Sequence, residues 1–290
     1  MVSKHHVIIT KKKQKNFDIA FIGDSFTEGL GYDYEKTFVG IIDNELKNKT
    51  VANLAMGSYS PSIYFAKINH LIAKGYKFKE VIVFIDISDL ADDVLCYKLN
   101  KKNRIERKIT SNTCLNNFND KQNKFLNYIE RNFNFSYMII KSIDDMTFRK
   151  IDKGRNFNNW SHSRSEWTYN YNRKIYNDLE FEEAIAISNK HMTNLHNLLK
   201  KNSIDLSIAV YPWPGTLKYG ELNNPQVIAW KNFCVNKCKK FFNLMPFFFK
   251  EVDKDNFEKI YLDYYIENDV HFNIKGNRLI AEKFLDQYLK

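Results

Sequence analysis

Cysteine is scarce in this chain, which has only Cys96, Cys114, Cys234 and Cys238. A chain of 290 residues hides roughly 75% of its extended surface on folding and needs no disulfide framework. The four therefore read as buried free thiols. Cys234 and Cys238, one helical turn apart, could supply half of a metal site, but no second cysteine pair and no His-x3-His partner accompanies them. No metal and no cofactor is expected. Long apolar runs are missing too. Val7 to Ile9 is far shorter than the roughly 7 to 15 residues of a signal peptide's apolar region, and nothing approaches the roughly 18 of a membrane span. The expectation is a chain with no span in the membrane, cytoplasmic as written, or extracytoplasmic if it is a piece of a longer protein. Repeats and Gly/Ser-rich linkers are absent as well from the stretch of about 91 to 178.

What the chain does have is positive charge, aromatic side chains and a succession of short apolar strands. Lys and Arg number 44 against 34 Asp and Glu, a formal charge of +10, and part of the excess lies in Lys11 to Lys15 and Lys98 to Lys108. With no nucleic-acid-binding module beside them, these runs read as solvated faces or tails, and no nucleic-acid partner is expected. At 44% hydrophobic and 15% aromatic, the chain can build a large core.

Phe17 to Ile22 is an apolar run too short for a helix, and it ends in Gly23-Asp24-Ser25. It reads as a buried strand with Ser25 just past its end, where open α/β sheets bind their ligands. Helical spacing follows from Tyr34 to Lys47, with Phe38, Ile41, Ile42 and Leu46 on one face. Thr50 to Ala55 reads as a second strand, leading through Asn53-Leu54-Ala55-Met56-Gly57-Ser58 to a helix over Ile63 to Ala73 with Ser60 as its cap and Pro61 at its first position. Glu80 to Ile87 is the third strand, near-continuously apolar as the centre of a parallel sheet requires.

From about 91 to 178 the pattern decays into Asn, Lys, Arg, Phe and Tyr. This stretch reads as an aromatic-rich insertion, partly helical over Asn123 to Asn132 and Phe135 to Asp144, lying over the strand ends like a cap. Within it Trp160, His162, Arg164, Trp167 and Tyr169 mix aromatics with polar donors, which suits either a sugar-binding surface or a small satellite core. A long helix over Leu179 to Leu199 follows, with His191 and His196 five apart, off the spacing a metal pair needs. Ile204 to Tyr211 is the fourth strand and closes on Pro212-Trp213-Pro214. Val227 to Lys239 reads as a helix, Phe241 to Phe249 as an edge strand containing Pro246, and Arg278 to Leu289 as the last helix.

Just before that helix stand Asp269, Val270 and His271. Two residues apart in extended chain, Asp269 and His271 point to one side, so the carboxylate can hold the imidazole while the other ring nitrogen faces a serine hydroxyl.

Taken together, Gly23-Asp24-Ser25, the Asn53 block, Asp86-Ile87-Ser88-Asp89 and the Asp269/His271 pair resemble the conserved blocks of the SGNH, or GDSL-type, hydrolases. The resemblance spans Phe17 to Leu289 with the insertion unmatched. It implies a three-layer α/β/α domain over 17–290, preceded by a basic tail over 1–16, with five parallel strands in the order 2-1-3-4-5. It also implies a triad of Ser25, Asp269 and His271, and an oxyanion hole from the N–H groups of Ser25 and Ser58, with Gly57 adjacent as a second candidate donor. Ser88 stands where the family has an Asn donor, and either replaces it or only caps the next segment. Asp24 and Trp213 are the candidate substrate contacts.

Most of the family has Asp-x-x-His, and that position is Asn268 here. The match is to the Asp-x-His variant of the alginate O-acetyltransferase-like members. The implied activity is serine-dependent ester hydrolysis, removing acetyl groups from a carbohydrate through an acyl-serine. O-acetyl transfer to a carbohydrate by the same triad is the alternative, and a non-catalytic glycan-binding module the second alternative. The implied partner is a small-molecule or glycan ester.

Overall fold

The computed structural model describes Thr10, residues 14–108, 164–170 and 179–250, Val252 and residues 256–290. In chain order β1 (Asn16–Ile22), α1 (Ser25–Glu28), α2 (Phe38–Glu45), β2 (Val51–Asn53), α3 (Pro61–Ala73) and β3 (Lys77–Phe84) come first. A single turn, α4 (Asp89–Ala91), then runs into a π-helical turn (Asp92–Cys96) and a hairpin of β4 (Tyr97–Leu99) and β5 (Ile105–Arg107). The remainder is α5 (Phe181–Lys201), β6 (Asp205–Val210), α6 (Pro214–Tyr219), α7 (Pro225–Cys234), β7 (Lys240–Asn243), α8 (Met245–Phe249), α9 (Phe257–Tyr264) and α10 (Ile274–Tyr288).

Five strands pair in parallel in the order β2-β1-β3-β6-β7, which is the expected 2-1-3-4-5 because β4 and β5 stand apart as their own hairpin. The register sets Ile22 beside Val83, Phe84 beside Ala209 and Val210 beside Asn243. That alignment brings the strand ends at Gly23, Ile85 and Tyr211 to one rim. Phe21, Phe84 and Phe242 each meet Phe284 of α10, and Phe38 of α2 lies 4.6 Å from Phe84, so α2 and α10 cover one face. On the other face α3 packs against α5. Phe84 is fully buried, and truncating it to Ala should cost about 3–5 kcal/mol.

Gly23 is required where β1 turns into α1: a Cβ there would collide with Thr27 Oγ1 and the Phe84 carbonyl. The serine behind it is thereby held tight against the sheet.

Several expectations need correction. The described cysteines are not free thiols. Cys234 and Cys238 form a disulfide, and none of the described cysteines is free. The reason is local: α7 stops at Cys234 instead of running on to Lys239, and Asn236 takes a left-handed φ of 60°. The chain therefore doubles back and sets the two Cα atoms 4.7 Å apart. The expected strand over Phe241 to Phe249 is only β7, because Pro246 opens α8, where a missing N–H costs nothing. Ser60 does precede α3, but its hydroxyl donates to Asp93 Oδ1 at 2.7 Å instead of capping the helix.

In the insertion, the expected helices over Asn123 to Asn132 and Phe135 to Asp144, with Trp160 and His162, lie outside the described residues. Of its aromatics that are described, Trp167 is 4% exposed, donates its indole N–H to the Ile87 carbonyl at 3.1 Å and stacks on Phe181. That is core packing, the second of the two readings of this segment. His191 is buried beside the same layer, and burial pushes its imidazole below the ordinary value.

Candidate active site

Ser25 opens α1, and Asp24 before it is the N-cap, its Oδ1 accepting the Phe26 N–H at 3.0 Å. Asp24 is thus 3% exposed and faces the interior, so it does not serve as a substrate contact. Burial first, then the charge of Asp86, pushes its carboxyl well above the usual range.

His271 reaches the serine from the far end of the chain. A short antiparallel bridge between Tyr265 and Phe272, with Ile266 N–H donating to the His271 carbonyl, folds residues 265–272 into a tight loop. Asn268 turns it with a left-handed φ of 60°. Asn273 ties the base: its side-chain amide donates to the carbonyls of Leu262, Asp263 and Tyr265, and its Oδ1 accepts the Gly276 N–H to cap α10. The Tyr261 hydroxyl stands between the Ile266 and Asp269 carbonyls, at 2.8 and 3.1 Å.

On this loop Asp269 Oδ1 accepts both the His271 backbone N–H at 3.0 Å and the ring Nδ1–H at 2.6 Å. A carboxylate only accepts, so Nδ1 carries the proton and Nε2 is left to accept the Ser25 hydroxyl at 2.7 Å. Burial raises the Asp269 carboxyl, but the bonds from His271 outweigh it and hold the group below its ordinary value. It stays ionised where the imidazole must be oriented.

Phe26 backs the imidazole with ring centroids 4.6 Å apart, and Trp213 stacks behind Phe26 at 5.9 Å. Trp213 is 2% exposed and its indole N–H donates to Asp86 Oδ2 at 2.6 Å. It is a wall behind the histidine and does not line an open substrate pocket.

The Gly57–Ser58 turn lies on the other side of Ser25. Ser58 is exposed and left-handed with φ 60°, a geometry glycine adopts without strain. Among the described residues no hydrogen bond engages the backbone N–H of Ser25 or Ser58. The Gly57 N–H, by contrast, is taken by Glu28 Oε2 at 2.7 Å, which removes it as a candidate oxyanion donor. A side chain at Gly57 would point into the space beside the nucleophile, 3.7 Å from Ser25 Cβ.

Ser88 is 4% exposed, and both its N–H and its hydroxyl donate to Asp86 Oδ1, at 2.7 and 2.6 Å. It precedes α4 without capping it, and its hydroxyl is committed away from the serine. Asp86 also accepts from the Tyr211 hydroxyl, making it the hub of the floor under the site.

Among the described residues, only Asp24, Asp86 and Asp89 bring carboxyl oxygens close enough to share a cation, within 4.8 Å. Apart from Asp24 Oδ2, which lies 3.3 Å from Ser25 Oγ, and Asp89 Oδ1, each of their oxygens already accepts from an N–H or O–H group. Burial also pushes Asp89 well above the carboxylate range. The cluster is organised around protons and donors.

Sequence reasoning missed Glu28, Tyr261 and the Asp86 hub. Glu28 sits three residues after Ser25, on the same helical face, and that spacing was the available signal.

No protein-family profile matches this sequence, and no curated protein does. Solved structures do. A member of the lipolytic protein G-D-S-L family from Veillonella parvula superposes with a TM-score of 0.52 at 12% identity, over 94% of this chain and 98% of that one. The acetylxylan esterase of Geobacillus stearothermophilus gives 0.46 at 12% identity over 93% of both chains. A psychrotrophic esterase from Pseudoalteromonas gives 0.45 at 10%, over 95% of this chain and 99% of that one. With the strand order β2-β1-β3-β6-β7 and a Gly-Asp-Ser segment at the end of β1, the chain has the fold of the SGNH, or GDSL-type, hydrolases.

Proposed function

We propose that the chain is a serine ester hydrolase acting through an acyl-serine, with Ser25, His271 and Asp269 as its triad. The observation that carries the reading is the unbroken chain from Ser25 Oγ to His271 Nε2, 2.7 Å, and from His271 Nδ1 to Asp269 Oδ1, 2.6 Å, joining residues 246 positions apart. His271 takes the hydroxyl proton as Oγ attacks the ester carbonyl carbon. The N–H groups of Ser25 and Ser58 hold the oxyanion, and His271 returns the proton to the departing alcohol. Water, deprotonated by the same imidazole, then releases the acid and frees Ser25.

The substrate we propose is an acetylated carbohydrate. Trp213 and Trp167 lend this no support, being packed into the core, so the assignment rests on the sequence resemblance alone. Disulfides persist in oxidising compartments, and the Cys234–Cys238 bond favours extracytoplasmic work over the cytoplasm.

Acetate release from acetylated xylooligosaccharides and from p-nitrophenyl acetate tests the proposal. Release by the wild type that is lost in Ser25→Ala supports it, and equal release by both would sink it. Adding unacetylated sugar separates the two activities: an acetylated acceptor formed at the expense of free acetate identifies transfer. Sugar binding without any turnover would leave the glycan-binding module.

A further inference from the structure

Glu28 ends α1, one turn beyond Ser25, so its side chain emerges on the same face as the nucleophile. Its Oε2 accepts the Gly57 N–H at 2.7 Å, and Gly57 is covalently joined to Ser58, whose N–H is the second oxyanion donor of the proposed mechanism. Gly57 and Ser58 make no other hydrogen bond of their own among the described residues; across the turn the Tyr59 N–H donates to the Met56 carbonyl at 3.1 Å, and the Met56 N–H donates to the Gly23 carbonyl at 3.4 Å. Beneath the turn, Lys67 is buried with its Nζ 4.9 Å from the Tyr59 ring and 3.4 Å from the Tyr59 hydroxyl. Burial pushes the Lys67 ammonium down to about 8, and the charge of Glu28 opposes that fall.

We infer that Glu28 is the positioning residue of the oxyanion hole, holding the Gly57–Ser58 turn in register with Ser25 through the Gly57 amide. The inference rests on the ester-hydrolase reading. One side chain of the nucleophile's own helix grips the loop that carries the opposing donor, so nucleophile and donor move together. The turn needs such a grip because Ser58 is held in a left-handed conformation that an L-residue leaves readily. Gln at this position still offers an acceptor to the Gly57 N–H, whereas Ala offers none and Asp falls one methylene short.

The test is steady-state turnover of an acetyl ester by Glu28→Ala, Glu28→Asp and Glu28→Gln, with thermal midpoints measured alongside. Losing an oxyanion donor outright costs about 10²- to 10³-fold, and loosening one should cost about 10- to 100-fold in kcat, with KM changed by less than about threefold. Glu28→Gln should recover most of that loss at an unchanged midpoint. Should Glu28→Ala fail to fold, Glu28→Asp carries the same expectation.

The inference is overturned if the shortened variants keep wild-type kcat, if their loss lies in KM alone, or if Glu28→Gln is as slow as Glu28→Ala. Full turnover in Ser25→Ala, run in the same assay, would instead bring down the hydrolase reading and this inference with it.

Discussion

Ser25 is served from two sides that are built very differently. On the acid–base side, the loop carrying His271 and Asp269 is fixed by a β-bridge, by four hydrogen bonds of the Asn273 side chain and by the Tyr261 hydroxyl. On the donor side, the Gly57–Ser58 turn is left-handed at an exposed residue, closed by a backbone bond from Tyr59 to Met56, tied to Gly23 through the Met56 N–H and gripped by one carboxylate. The contrast matches the chemistry. Proton transfer needs the imidazole held at hydrogen-bonding distance from Ser25, so its loop is over-determined. A backbone donor tolerates a change of side chain but depends on the turn keeping its shape.

Damage to the two sides should therefore be graded. The largest effect is expected for Asp269→Asn, which keeps the shape of the side chain but favours the wrong imidazole tautomer. A loss of about 10³- to 10⁴-fold in kcat is predicted, and a loss below tenfold would show that the loop alone orients His271. Next comes Tyr261→Phe, which removes the hydroxyl shared by the Ile266 and Asp269 carbonyls. It should cost about 1 kcal/mol in denaturant stability and a few-fold in turnover. Because the acid–base loop has other ties, a collapse of activity there would contradict its redundancy.

Ser58→Gly probes the opposite side. It keeps the N–H and relieves the left-handed strain, so the thermal midpoint should rise by the equivalent of about 1 kcal/mol, with turnover within about threefold. A fall in midpoint would mean that the serine side chain, not the backbone, holds the turn.

The smallest effect concerns the floor. Burial pushes Asp92 up to about 7, against the pull of Arg164 at 3.6 Å. A folded value raised above the ordinary carboxylate value of about 4 means that the protonated form is favoured by folding. That contribution is complete below about pH 4 and lost as the pH rises through about 7. Wild-type stability should therefore decline between about pH 4 and 7 more steeply than that of Asp92→Asn, and parallel curves would refute the assignment. Asp269 is shifted the other way, so its carboxylate stays charged across that range.

The sheet was legible in the sequence because each parallel strand is a short apolar run flanked by breakers, and the order 2-1-3-4-5 followed from the resemblance. Ser25, Asp269 and His271 were legible because each sits beside a recognisable boundary: the end of β1 and the start of α10. Trp213 and Asp24 were misjudged because proximity in sequence to a strand end does not say which way a side chain turns. Both turn inward, Asp24 to cap α1 and Trp213 to satisfy Asp86. Ser88 was undecided for the same reason, and Asp86 two residues before it proved to take its hydroxyl. The Cys234–Cys238 bond was invisible because it depends on where α7 stops, and its end is set by the turn at Asn236. Glu28 was missed because its spacing from Ser25 shows only the shared face, while its partner is a backbone amide on a separate loop.

The central claim is that His271 activates Ser25. Its most direct test is reaction with a fluorophosphonate ester, followed by mass analysis of the peptide spanning residues 16–28. The account predicts a single adduct on Ser25 in the wild type, formed at least 100-fold more slowly in His271→Ala, on the order of a triad's contribution. An adduct elsewhere, or one formed on Ser25 at equal rate without the imidazole, would contradict it.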